Sequence, residues 1–399
     1  MSLGLLLIVG YVLGELSKKV RLPKLVGYLI TGIVLGPYVL NMVDLTVLDL
    51  SGELRNSALI IILIRAGLSL NLDDLKKVGR PALLLSLVPA TMEIIGYAIF
   101  TPLLFNVNVV EALVIGAVLA AVSPAVVVPR MVKLIDEGYG TKKGIPQLLL
   151  AASSLDDVYV IVLFTTYLGF LQEGNIAVMD FVNIPVSIVL GILLGGIVGW
   201  VLAKVFNYLK REGNPLSVIY QTMIVLSTAF ILYGLESTLS SVVAISGLIA
   251  VMSMGIALMM FIDSKHTEGD KISTAFDALW APAQILLFAL VGSAVDIRYM
   301  VDAGLFAILI ILVGLAFRST GVFISLLGTN LNIKEKFFVF ISYLPKATVQ
   351  AAIGGVPLAA GLSVGPLALS ISVVGILLTA PLGAFLMDYT YEKLLAYGG

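Results

Sequence analysis

Two adjacent aspartates, Asp156 and Asp157, stand inside an apolar run that reads Ala151-Ala152-Ser153-Ser154-Leu155-Asp156-Asp157-Val158. A helix over this run puts them near mid-membrane, where a charge costs at least about 2.5–3.5 kcal/mol on insertion scales. Neighbours on a helix point about 100° apart, so the two carboxylates face different surroundings. One can pair with a cation on a nearby helix while the other faces a cavity. Low dielectric and mutual repulsion disfavour two charges at once, and the pair titrates as a coupled unit. Such a carboxylate can hold a proton or a small cation, but hardly both. That competition is the chemistry of proton-coupled cation exchange. The alternative is a structural dyad, neutralised by basic partners that lock helices together.

Two further runs are interrupted by proline. One reads Ala121-Val122-Ser123-Pro124-Ala125-Val126-Val127-Val128-Pro129, the other Leu344-Pro345-Lys346-Ala347-Thr348-Val349-Gln350-Ala351 and on to Pro357. Proline has no N–H and breaks the helical ladder. The freed carbonyls near Pro124 and the Ser123 and Thr348 hydroxyls are hard oxygen ligands suited to sodium or lithium. Paired interrupted helices are the best sequence pointer to a transporter binding site, although kinked helices with proline are common in membranes. Lys346 stands at the second break. It can balance a half-helix C-terminal dipole, compensate the carboxylates, or snorkel to the interface. Glu93 and Arg318 are also intramembrane charges. A fixed ion pair between them is the simplest way to tolerate both, and the alternative is that Arg318 pairs with Asp156. Arg65, near a run end, is expected to snorkel. His266, the single histidine, reads as a solvated loop residue.

The whole chain must position these residues. Its 399 residues are 59% apolar and 12% charged, with a mean hydropathy of +1.08. Soluble domains run nearer 45–50% apolar and about 25% charged, so this is not a water-soluble globule. With 24 basic and 25 acidic residues the net charge is −1, which argues against a nucleic-acid partner. There is no cysteine, so disulfides, thiolate metal sites and cysteine nucleophiles are excluded. No cofactor is implied; the ions are cargo.

Thirteen apolar runs are long enough to be read as spans: 1–16, 24–40, 54–71, 81–105, 109–133, 146–171, 180–206, 216–235, 241–262, 273–295, 300–328, 337–360 and 366–391. The first lacks a basic n-region and a cleavage site, so it is not read as a signal peptide. Basic residues gather after odd-numbered runs (Lys18, Lys19, Arg21, Lys24; Lys76, Lys77, Arg80; Arg130, Lys133, Lys142, Lys143; Lys204, Lys210, Arg211; Lys265, Lys271; Lys334, Lys336), and acids such as Asp44, Glu173 and Glu236 after even ones, with only Arg55 and Arg298 against the pattern. The positive-inside rule then puts the N-terminus outside and the C-terminus in the cytoplasm. Thirteen divides as six, one and six, and the single middle helix inverts the second half. The spacing of Gly14 and Gly27 recurs in Gly234 and Gly247, and the ends at Gly67–Leu72 and Gly292–Ile297 resemble one another. These traces point to an all-α membrane protein with inverted repeats. Gly191, Gly195 and Gly199, and Gly10 with Gly14, allow close helix packing; the latter pair is either a dimer contact or intrachain packing.

The runs AVSPAVVVPRM (121–131), GYG (138–140) with KGIP (143–146), AASSLDD (151–157) and LPKATVQAAI (344–353), with Arg65–Leu68, Glu93 and Arg318, resemble the NHA-type sodium/proton antiporters, in the second branch of the monovalent cation–proton antiporter superfamily. The resemblance covers nearly the whole chain. It implies a homodimer working by elevator-like alternating access, with two crossed, unwound helices in each core. By match, Asp157 is the principal ion and proton ligand and Asp156 its companion. Ser123 and the backbone near Pro124 complete the site, Lys346 sits at the second break, and Glu93–Arg318 is the core salt bridge. On this reading the transport core spans about 54–171 and 273–360, the dimerisation parts about 1–53, 216–262 and 366–399, and 180–206 is a linker helix. The absence of long polar extensions fits a bacterial version in the inner membrane, serving pH homeostasis.

The expected function is therefore exchange of sodium or lithium for protons. Potassium/proton exchange by the same chemistry is the runner-up, and sodium-coupled solute symport a more distant one. An intramembrane aspartyl protease needs aspartates facing each other from different helices, which neighbours on one helix do not supply. No enzyme is expected, and no selectivity-filter-like loop favours a channel.

Overall fold

A computed structural model describes residues 1–20, 22–69, 72–173, 178–239, 245–263 and 269–398. His266, Arg21 and Lys265 lie outside the described residues, as do Leu70 and Asn71 of the first glycine-end motif. The architecture is helical throughout: α1 (Ser2–Lys19), α2 (Lys24–Leu35), α3 (Leu45–Asp49), α4 (Ser51–Ser69), α5 (Leu72–Leu104), α6 (Val109–Leu119), α7 (Pro124–Asp136), α8 (Ile145–Glu173), α9 (Val178–Arg211), α10 (Val218–Leu239), α11 (Gly247–Phe261), α12 (Asp270–Ser293), α13 (Ile297–Ser325), α14 (Ile333–Ser342), α15 (Thr348–Ile353), α16 (Val356–Ala359) and α17 (Gly365–Leu394). Each expected apolar run contains helix. Among the described residues, eight stretches are long and apolar enough to cross a membrane, including Gly79–Leu104, Val109–Asp136, Ile145–Gln172 and Gly365–Leu394. The chain is an integral membrane protein. At Gly79 (φ 56°, ψ −140°) the backbone leaves the helical region, a conformation only glycine adopts without strain.

The two interrupted runs begin alike. Asn108 caps α6 with its side chain on the Glu111 N–H (2.9 Å), and the Glu111 carboxylate accepts from the Asn108 N–H (2.8 Å). Asn332 and Glu335 repeat the arrangement at α14, at 3.0 and 2.7 Å. Such capping boxes satisfy two orphan donors at a helix start. Both runs then stop short: α6 ends at Leu119 and α7 starts at Pro124, while α14 ends at Ser342 and α15 starts at Thr348.

The residues group into two compact units, one of Met1–Gly52, Asn71–Gln172 and Ile285–Gly399, the other of Glu53–Leu70 and Glu173–Gln284. These lines differ from the core-and-scaffold division drawn from the sequence: α1, α2 and α17 fall with α5–α8 and α13, and α4 falls with α9–α11. In the second unit α9 lies on α11, and a Cβ at Gly191, Gly195 or Gly199 would strike the carbonyl oxygens of Ser246, Ala250 or Met254. The expected small-residue contact is thus within the chain. So is that of α1, where Gly10 lies against Ile285 and Gly14 against Tyr28, in the first unit. The two glycine-end motifs also have matching neighbours. Gly67 of α4 lies against the Met252 carbonyl of α11, and Gly292 of α12 against the Leu29 carbonyl of α2.

In the first unit, α5 packs along α13, and α17 touches α6, α7, α13 and α14. Beyond α17 the chain returns to the loop after α7. Tyr397 pairs antiparallel with Tyr139, with Gly140 N–H donating to Ala396 O (2.9 Å) and Gly398 N–H to Gly138 O (2.7 Å). The Tyr139 ring meets Tyr391 and Tyr397 edge-on, at 5.1 and 5.4 Å. Arg130 of α7 forks onto both carboxylate oxygens of Asp388 at 3.1 and 2.9 Å. Arg65 does not simply snorkel: it pairs with Asp277.

Candidate functional site in the first unit

All the charged candidate residues lie in the first unit. Glu93 comes from α5, Asp156 and Asp157 from α8, Arg318 from α13, and Lys346 from the second break. Four of them are 0% exposed, and Asp157 is 6% exposed. All five are buried.

Glu93 sits between two cations. Arg318 Nη1 is 2.5 Å from Oε2, and Lys346 Nζ is 2.6 Å from Oε1. Arg318 also reaches Asp156, with Nη2 3.4 Å from Oδ2. The two pairings left open by the sequence thus occur together. Asp156 Oδ2 accepts a second bond from the Val122 N–H, at 2.7 Å. Among the described residues, Asp157 Oδ1 and Asp156 Oδ1 are both buried and without a hydrogen-bond partner.

The C-terminal end of α6 is closed by donors from other elements. Leu119 O accepts from Lys346 Nζ (2.6 Å) and from Gln350 Nε2 (3.3 Å). Ala120 O accepts from Arg318 Nη1, and Ala121 O from Gln350 Nε2 at 2.8 Å. Cations at a helix C-terminus and a carboxylate near the next N-terminus match the helix dipoles. Lys346 therefore balances a dipole and a carboxylate at once and does not snorkel. The freed carbonyls expected as cation ligands are, over 119–121, taken by protein donors.

The two breaks cross at their hydroxyls. Ser123 Oγ is 3.4 Å from Thr348 Oγ1 and 3.5 Å from the Thr348 N–H donor. Ser123 N–H donates to Pro345 O at 2.8 Å. Ser123 is the N-cap of α7 and Pro124 its first residue, the position where a missing N–H costs nothing. The structure thus brings Ser123, Pro124, Thr348 and Lys346 to one crossing, with Asp156 bonded into it through Val122.

Three contributors escaped the sequence reading. Gln350 is 0% exposed and joins the two breaks. Thr379 of α17 accepts the Lys346 N–H at 2.9 Å. Tyr343 lies over Arg318, 5.3 Å from ring centroid to guanidinium carbon. The available signal was a polar side chain inside each apolar run, since a buried polar group must find partners.

The family model for the sodium/hydrogen exchanger, transmembrane, matches residues 4–388. Sodium/hydrogen exchanger 9B2 of Homo sapiens is 32% identical over 386 residues, 94% of this chain and 70% of that protein. Sodium/hydrogen exchanger 9B1 of Macaca fascicularis is 32% identical over 389 residues, 94% of this chain and 73% of that one. Among solved structures, the sodium proton antiporter MjNhaP1 of Methanocaldococcus jannaschii at pH 8 has a TM-score of 0.84 at 21% identity, covering 98% of this chain and 97% of that one. That likeness establishes the fold. The resemblance to NHA-type antiporters holds, and the matched family is one of transporters rather than enzymes. The chain belongs to the sodium/hydrogen exchanger family.

Proposed function

We propose that this protein exchanges sodium or lithium for protons across the membrane, with Asp157 as the group where cation and proton compete and Asp156 as its companion. The observation that carries this reading is the charge balance of the buried cluster. Three carboxylates (Glu93, Asp156, Asp157) face two cations (Arg318, Lys346), all within the first unit. Glu93 and Asp156 already have cationic partners, whereas Asp157 Oδ1 is buried without a hydrogen-bond partner among the described residues. One monovalent positive charge, proton or alkali ion, neutralises the set. Two at once would leave an excess positive charge in low dielectric, which is costly. That arithmetic favours one-for-one, electroneutral exchange.

Ser123, just ahead of Pro124, and Thr348 are the neutral oxygen ligands of the site. Lys346, Arg318 and Glu93 compensate charge. The ion-carrying core works by elevator-like alternating access in a homodimer, in a bacterial plasma membrane, with the N-terminus outside and the C-terminus cytoplasmic. The two halves are inverted repeats.

The test is flux in proteoliposomes. Asp157→Asn is expected to abolish sodium-dependent proton movement while leaving a folded protein, and wild-type flux in that variant refutes the assignment. Flux with Na⁺, Li⁺ and K⁺, with and without an imposed potential, reads out cargo and charge. Electroneutral exchange predicts no effect of the potential. Potassium outrunning sodium would move the reading to potassium/proton exchange.

A further inference from the structure

Lys346 lies in the break between α14 and α15, where no helical ladder accepts its N–H. The acceptor comes from α17 instead: Thr379 Oγ1 takes the Lys346 N–H at 2.9 Å. Thr379 spends its own hydrogen on the Gly375 carbonyl at 2.7 Å, which leaves a lone pair for Lys346. Both residues are buried. Gly375, Thr379 and Gly383 stand four apart and so share a face of α17. A Cβ on Gly383 would come 2.5 Å from Pro345 Cγ, and one on Gly375 would come 3.1 Å from Leu119 Cδ2 and 3.9 Å from Lys346 Cδ. This strip is a floor under Pro345 and the lysine stem, with a hydrogen bond at its middle. From that seat Lys346 Nζ reaches Leu119 O at 2.6 Å and Glu93 Oε1 at 2.6 Å.

We propose that Thr379 is a positioning residue of the exchange: by accepting the Lys346 N–H it aims the Lys346 ammonium at Glu93 and at the end of α6, and so sets how tightly the aspartates hold their cargo. This rests on the reading of Lys346 as a charge-compensating group of the ion site. A lysine is a point charge on a flexible stem, and in a break the backbone that carries the stem has no helix to fix its direction. Thr379 supplies that direction from a neighbouring helix. Glu93 and Asp156 share Lys346 and Arg318 as their cations. An ammonium that drifts from its seat leaves the carboxylates less compensated, and they hold an alkali ion harder. The KM for Na⁺ then falls, and the maximal rate falls with it because release is slower.

The experiment compares wild type, Thr379→Val, Thr379→Ser, Lys346→Gln and the Thr379→Val, Lys346→Gln double variant, each reconstituted in liposomes. Flux is measured over a range of Na⁺ at fixed pH, and melting in detergent shows that each protein is folded. Thr379→Val is expected to lower the KM about fivefold, the fold-change that one lost hydrogen bond can supply. Thr379→Ser keeps the hydroxyl and should keep the wild-type KM. Lys346→Gln should lower the KM at least as far, and adding Thr379→Val to it should change the KM no further, because the two act through one group. A Thr379→Val protein with lower melting and lower rate at wild-type KM overturns the proposal, since that is a structural role. So does an equal fall of KM in Thr379→Ser, or a further fall in the double variant. If Lys346→Gln does not fold, the contrast between Thr379→Val and Thr379→Ser decides. A wild-type KM in Thr379→Val beside an altered one in Lys346→Gln sinks the Thr379 proposal alone. A wild-type KM in Lys346→Gln sinks the charge-compensation reading and the proposal with it.

Discussion

The two breaks in the first unit look alike in sequence and start from the same capping box, yet they are held by different forces. The break over 120–123 is gripped by side chains that carry charge or several donors: Lys346, Arg318 and Gln350 on consecutive carbonyls, and Asp156 on the Val122 N–H. The break over 343–347 is held by neutral groups, the Thr379 hydroxyl on the Lys346 N–H and the backbone bond between Ser123 N–H and Pro345 O. The second break lends its own lysine to the first. Proline interrupts the ladder in both, but the chain then repairs one break with ions and the other with dipoles. An ionic repair in low dielectric is strong only while every partner is present. A neutral repair costs less to lose.

That contrast can be broken at graded strength. Glu93→Gln leaves Arg318 and Lys346 facing an uncharged amide, and removing one partner of a buried ion pair costs about 3–5 kcal/mol. Its melting temperature should fall most, and the KM for sodium should rise as well, because two carboxylates then face two cations; wild-type melting would end the idea that Glu93 anchors the ionic repair. Gln350→Met frees the Ala121 carbonyl and one bond on Leu119. An unsatisfied buried acceptor costs about 1–3 kcal/mol, so its melting should fall by an intermediate amount. Thr379→Val leaves one buried donor, the Lys346 N–H, without its acceptor; a single unsatisfied group costs about 1–3 kcal/mol, against the two bonds lost in Gln350→Met, so its melting should fall least. If Thr379→Val melts lower than Glu93→Gln in the same detergent, the ranking of the two breaks is reversed.

Much of this is legible in the sequence alone. Apolar runs separated by basic and acidic loops marked the helices, because a span of backbone in lipid has no other way to satisfy its polar groups. Asp156, Asp157, Glu93, Arg318 and Lys346 stood out because charge in such runs is expensive. The glycine ladder at 191, 195 and 199 announced a close contact, which α11 fills. What escaped was rotation and partnership. Sequence gives no azimuth for α13, so it could only offer Glu93 and Asp156 as rivals for Arg318, and one guanidinium spans both. It counted the freed carbonyls near Pro124 as ligands, because nothing local to 119–121 reveals donors that arrive from α13 and α15. Arg65 was read alone for the same reason, since Asp277 is its partner from far along the chain.

The pairing of Tyr397 with Tyr139 reaches further than its few hydrogen bonds. Asp388 grips Arg130 on α7, and residues 396–398 are stitched to the turn that follows it. The half-helix that starts at Ser123 is thereby moored at its far end to the tail of the chain. On the proposed reading, in which the first turn of that helix meets the cargo, a domain fused beyond residue 398 would lean on it, and a purification tag placed there would perturb the transport cycle.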